Sequence, residues 1–191
     1  MKNKYIYSVM GSFINYFFFG MAYILIAQNM TFLSEKLQTD NAGISFLISA
    51  FGFGRLFSLY VGGVLSDKIG RKPFVLLGAT LMAIFLIGIP LSPNYQIALI
   101  FAIVGGFGNS FLDTGTNPSL MEAFPKQASR VMVLQKVFIS AGSTVLPFLI
   151  SFLVFNEVFY GWAFFIPAII FLVNSIILLK VKFPHHNSQK N

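Results

Sequence analysis

Cysteine is absent from this chain of 191 residues, and histidine occurs only at His185 and His186, close to its end. Without cysteine there is no disulfide framework, no thiolate nucleophile and no thiolate metal site. With both histidines in the last few residues, no Ser–His pair can be assembled in the body of the chain. Charge is scarce as well: 10% of the residues are charged, against about 25% in a soluble domain. Asp113 is the only carboxylate deep in an apolar segment, so an aspartyl pair is excluded too. No phosphate-cradling loop and no cluster with metal-ligand spacing is present. The expectation is a protein that is not an enzyme and needs neither metal nor cofactor.

Apolar residues are what the chain has in abundance. They make up 56% of it, with 24 phenylalanines, and the mean hydropathy is +0.77. Such a chain cannot cover a water-facing surface, so the lipid bilayer is its solvent. Six spans of about 20 residues or slightly more follow, at 6–28, 42–65, 73–91, 95–121, 131–155 and 159–181. The fold class is an all-α membrane protein, a six-helix bundle over 1–181 with a polar, disordered tail over 182–191. The first span is too long for a signal-peptide core and lacks a small-residue cleavage site, so no cleavable leader is expected.

The net charge of +7 could suggest nucleic acid, but the basic residues sit at span ends and report topology instead. Lys2, Lys4, Lys68, Arg71, Lys72, Lys126, Arg130, Lys180, Lys182 and Lys190 fall on one side, and Lys36 alone on the other. Both termini are therefore expected on the cytoplasmic side of a cell membrane. Arg55 and Lys136 remain, inside spans.

Ionisable or amide groups within a span are expensive unless they face a cavity or a partner. Asn15 lies in the first span, on a face it shares with Tyr16, Phe19 and Tyr23. The second span carries a small-residue stripe, Ala50, Gly54, Ser58 and Gly62, that lets another helix come close. Arg55 beside the stripe cannot shed its proton, so it needs a cavity, a carboxylate or carbonyls. The third span is plainly apolar and reads as lipid-facing. In the fourth, Asn109, Asp113 and Asn117 recur every four residues and line one helix face, with Pro118 freeing a carbonyl one turn back. The fifth places Lys136, Ser140, Thr144 and Pro147 on one face. By helical rise, Asp113 lies roughly 8 Å from the midplane, Lys136 roughly 10 Å and Arg55 within roughly 3 Å. Asp113 can therefore pair with either cation, as a permanent structural pair or as a site for solute and protons. Trp162 suits an interfacial belt, and Asn174 a helix-to-helix hydrogen bond.

Between the second and third spans runs Gly63-Val64-Leu65-Ser66-Asp67-Lys68-Ile69-Gly70-Arg71-Lys72. An apolar helix ends near Leu65, a charged turn follows, and the next helix starts after Pro73. Gly63 and Gly70 allow close backbone approach and positive φ. Asp67 and Arg71 are four residues apart and of opposite charge. This run resembles the loop signature of the major facilitator superfamily, G-x-L-[A/S]-D-[R/K]-x-G-[R/K]-[R/K], at every specified position. Gly106, Gly108, Asp113 and Asn117 also resemble a looser run in the fourth helix of sugar and other solute symporters of that superfamily. The Gly-Pro-rich run typical of its drug–proton antiporters is missing from the fifth span.

The resemblance implies the amino-terminal six-helix half of a twelve-helix carrier, itself a 3+3 inverted repeat. It implies a gating cluster of Asp67, Arg71 and Glu122 around the Gly63–Gly70 turn. It implies secondary active transport of a small polar solute, sugar-like and proton-coupled, with access alternating between two halves. The second half would be a separate chain or a second copy. The alternative is a truncated fragment or assembly partner that does not transport.

Overall fold

The computed structural model describes residues 4–184. Its elements are α1 (Ile6–Gln28), α2 (Met30–Leu37), α3 (Asn41–Ile69), α4 (Arg71–Leu91), α5 (Tyr95–Ala123), a 3₁₀ turn (Pro125–Gln127), α6 (Ala128–Phe155) and α7 (Trp162–Leu179). All but α2 and the 3₁₀ turn are long and apolar enough to cross a membrane. Two of the polar connections foreseen in the sequence act as helix starts. Asp40 Oδ1 accepts from Gly43 N at 2.8 Å ahead of α3, and Asn94 Oδ1 from Ile97 N at 2.9 Å ahead of α5.

Two of the crossings in the bundle are each built on a reciprocal pair of glycines. Where α1 meets α6, a Cβ on Gly20 would lie 2.0 Å from the Ile139 carbonyl oxygen, and one on Gly142 only 1.8 Å from that of Phe17. Where α3 meets α5, the corresponding figures are 2.4 Å for Gly54 against Ile103 and 2.1 Å for Gly106 against Phe51. Backbones at these points touch directly, as small residues permit in membranes. The first span thus packs on the fifth as the second packs on the fourth. That is the pairing a pseudo-twofold relation between two three-helix units requires. An odd number of spans per unit inverts the second unit in the bilayer.

Several expectations need correction. The third span is not a lipid-facing helix, for α4 packs against both α5 and α7 and buries Phe74, Phe85 and Leu86. Its apolarity does not distinguish lipid from protein contact, because both are equally oily. The stretch after the first span holds an additional short helix, α2, anchored by Leu33 and Leu37. The second and fourth helices run on to Ile69 and Ala123, and the last is shorter than its span. Phe183, placed by sequence in the polar tail, is buried in the main core. The rest of that tail, 185–191 with His185 and His186, lies outside the described residues, as does Lys2.

Candidate functional site

Four helices bring polar side chains to one place inside the bundle. Asp113 on α5 is the centre, its side chain 14% exposed. Its Oδ2 accepts from Arg55 Nη2 on α3 at 3.1 Å, and its Oδ1 from the Tyr16 hydroxyl on α1 at 2.6 Å. One turn further along α5, Asn117 Oδ1 accepts from Gln135 Nε2 on α6 at 2.7 Å, with a weaker 3.3 Å share of the Tyr16 proton. The carboxylate is thus held by a cation and a phenol from two other helices. Arg55 balances the charge of Asp113, which is how an intramembrane carboxylate is accommodated.

Of the residues singled out from sequence, Asp113, Asn117 and Arg55 come together. Lys136 does not join them: it is exposed on α6 and makes no ion pair among the described residues. Asn109 shares the α5 face but is fully buried, and both its amide atoms lack a hydrogen-bond partner among the described residues. Asn15 points elsewhere, accepting from Asn174 Nδ2 at 2.7 Å while that amide also donates to the Gly11 carbonyl at 2.8 Å. It is a helix-packing group between α1 and α7. Tyr16 and Gln135 were missed as site residues. An aromatic run hid the first, and the lysine beside it drew attention from the second.

Two cavities flank the pair, one lined by Arg55 and the other by Asp113. On the side of the α3 amino terminus, a cavity of about 380 Å³ opens between α1 and α3, with Arg55 at its inner end and Tyr23, Phe51 and Phe85 in its wall. On the other side, a cavity of about 300 Å³ reaches from Asp113 and Asn117 past Gly63 to Asp67 and Arg71. The signature run and the Asp113 cluster therefore share one space.

The signature itself is almost wholly helical, contrary to the charged turn expected. Gly70 alone reverses the chain, at φ 107° and ψ 163°, a conformation open essentially to glycine. Gly63 has no such role. A Cβ there would meet nothing within 4 Å, so it is not a point of close approach within the chain. Arg71 is buried, its side chain 5% exposed. It pairs with Asp67 one turn back on α3 and with Glu122 on α5, where Nη2 and Nε lie 3.1 and 3.3 Å from Oε1. The three-residue cluster implied by the resemblance is formed.

Two further links at this end were not foreseen. Pro118 cannot donate to the Thr114 carbonyl, and Ser66 Oγ does so instead at 2.9 Å while accepting from Arg71 Nη1 at 3.3 Å. Lys72 Nζ donates to the carbonyls of Leu179 and Val181 at 2.7 and 3.0 Å, capping the end of α7.

A family model of the Major Facilitator Superfamily matches residues 11–191. An uncharacterized MFS-type transporter of Bacillus subtilis (strain 168), YfkL, is 48% identical over 184 residues, covering 96% of this chain and 46% of that protein. The inner membrane transport protein YdiM of Escherichia coli (strain K12) is 43% identical over 190 residues, covering 100% of this chain and 47% of its own length. The chain thus spans about half the length of these curated relatives. Among solved structures, the proton:xylose symporter XylE bound to 6-bromo-6-deoxy-D-glucose shares the fold, with a TM-score of 0.82 at 16% identity over 96% of this chain and 46% of that one. The signature stands where the fold needs its one glycine turn and its buried arginine, and the match runs over nearly the whole sequence: the chain belongs to the Major Facilitator Superfamily.

Proposed function

We propose that the chain forms one half of a secondary active carrier. Together with a second six-helix half, it moves a small polar solute with protons across a cell membrane by alternating access. The observation that carries this reading is the Arg55–Asp113 pair, its carboxylate set among four helices and its arginine open to a cavity, with a second cavity on the side of Asp113. A carboxylate held between a cation and a low-dielectric interior can exchange a proton as water and solute come and go. Asn117 offers an amide to solute beside it.

The second half covers the outward faces of α3 and α6, where Phe53, Leu56, Phe57, Tyr60, Phe148 and Phe152 are exposed. The basic bias supports cytoplasmic termini. A sugar-like solute is favoured by the Gly106–Asn117 run and agrees with the named substrate of XylE, which is a likeness of fold.

The test uses an assembly in which the chain supports solute accumulation. Asp113→Asn is expected to leave the protein folded and in the membrane but to abolish pH-driven accumulation. The exchange Arg55→Asp with Asp113→Arg separates coupling from structure: a structural pair is largely restored, whereas a coupling site stays folded and inactive. Full pH-dependent accumulation by Asp113→Asn refutes the reading.

A further inference from the structure

Arg55 carries five N–H donors, yet among the described residues its one hydrogen-bond acceptor is Asp113, through Nη2. The side chain is 44% exposed, and the space it faces is the cavity of about 380 Å³ between α1 and α3. Among the described residues, no carboxylate, amide or small hydroxyl residue lines that cavity, and apart from Arg55 the one polar side-chain atom is the Tyr23 hydroxyl. The rest of the wall is aliphatic or aromatic, with the Phe51 and Phe85 rings 5.3 Å apart.

These features fit poorly with a sugar, whose many hydroxyls need several placed donors and acceptors. They fit a molecule with one anionic group and an apolar body. A planar carboxylate matches the guanidinium fork, and aromatic walls take a ring. We propose that the cavity is the solute site of the carrier and that the solute is an amphipathic organic carboxylate, seated on Arg55 with a ring-sized apolar body against Phe51, Phe85 and Tyr23. This rests on the reading of the Arg55–Asp113 pair as the solute and proton site, and replaces the sugar-like solute of that reading with a carboxylate.

The arrangement also supplies a coupling step that balances. Before binding, Arg55 and Asp113 neutralise each other. An arriving carboxylate takes Arg55, and Asp113, released from its cation, takes up one proton. The charge of the site is unchanged, and one anion and one proton are loaded together. The titratable and charged groups facing Asp113 are Tyr16 from α1 and Arg55 from α3, with Asp67 and Arg71 at the far end of the signature-side cavity and Lys136 of α6 acting at longer range.

The test measures calorimetric binding to the 191-residue chain in nanodiscs of zwitterionic lipid. The probes are benzoate, neutral benzamide and glucose. Repeating titrations in buffers of different ionisation enthalpy counts protons. Benzoate is expected to bind saturably with uptake of about one proton, and benzamide and glucose at least about tenfold more weakly. Arg55→Gln is expected to abolish benzoate binding and Arg55→Lys to weaken it about tenfold, since an ammonium cannot form the fork. Asp113→Asn is expected to tighten it severalfold, because the competitor for Arg55 is gone, and to end proton uptake. That gain cannot come from misfolding. Glucose binding that depends on Arg55 and Asp113 and outcompetes benzoate would overturn the carboxylate while sparing the carrier site. Benzoate binding indifferent to Arg55→Gln, or absent from both the parent and Asp113→Asn, would overturn the proposal. If Asp113→Asn also accumulates solute normally, the site reading falls with it.

Discussion

Replacing Gly142 by alanine is the sharpest test of how the bundle is held. The new Cβ would lie 1.8 Å from the Phe17 carbonyl oxygen, with the Phe17 carbonyl carbon at 2.8 Å. Ordinary van der Waals contact begins near 3.4 Å, so α1 and α6 must separate by about 1.6 Å at the crossing, enough to lose most of the dispersion contacts along it. The obstacle is backbone on a helix, with no flexible side chain to swing away. The same movement stretches the 2.7 Å bond from Ser143 Oγ to the Gly20 carbonyl. Overpacking of this kind costs about 2–3 kcal/mol, which corresponds to a fall in Tm of about 4–12 °C for a chain of this size. The assay is thermal unfolding in detergent, followed through the single tryptophan, Trp162. Gly52→Ala and Gly63→Ala are the controls, because a Cβ at either meets nothing within 4 Å. If Gly142→Ala melts with these two, the direct backbone contact between α1 and α6 does not exist.

Asp67→Asn is expected to impair transport while leaving membrane expression near normal: the side chain is 61% exposed and such a pair adds under about 1 kcal/mol to stability. Parent-like transport would refute a gating role. Reporter fusions at Gln38, Lys68 and Asn191 are expected to read outside, inside and inside, and an outside reading at Lys68 would reverse the proposed orientation. Asn174→Leu removes the bonds to Asn15 and the Gly11 carbonyl and is expected to cost about 1–2 kcal/mol with coupling unchanged. Altered solute binding at unchanged stability would instead place Asn15 in the site.

The spans and the charged residues within them were legible because a bilayer makes both conspicuous: about 20 apolar residues are needed to cross, and any ionisable group in the crossing stands out. The choice between Arg55 and Lys136 was not legible. Helical rise places both at reachable depths, and only lateral packing decides which faces Asp113. Tyr16 is visible in the sequence as one aromatic of a shared face in the first span, and spacing alone does not say which hydroxyl of that face meets Asp113. The burial of α4 was signalled by Gly78 and Gly88, which sit against α5, but general oiliness hid it. The charges of the signature suggest water, and with it a loop. In the fold those charges are satisfied by one another, so the helices continue and Gly70 suffices as the turn.

The hydroxyl of Ser66 on the Thr114 carbonyl has a consequence for timing. Thr114 directly follows Asp113, and Ser66 Oγ also accepts a hydrogen bond from Arg71. An event at the carboxylate and one at the buried arginine are therefore separated by one peptide unit and two hydrogen bonds. Any rotation of the Asp113 turn drags the carbonyl on which Ser66 hangs, so the two ends of the shared cavity change in the same stroke. The bond exists because Pro118 leaves that oxygen without a donor from its own helix. A residue with an N–H at 118 would let the helix reclaim it, and the link between the Asp113 turn and the buried arginine would be lost.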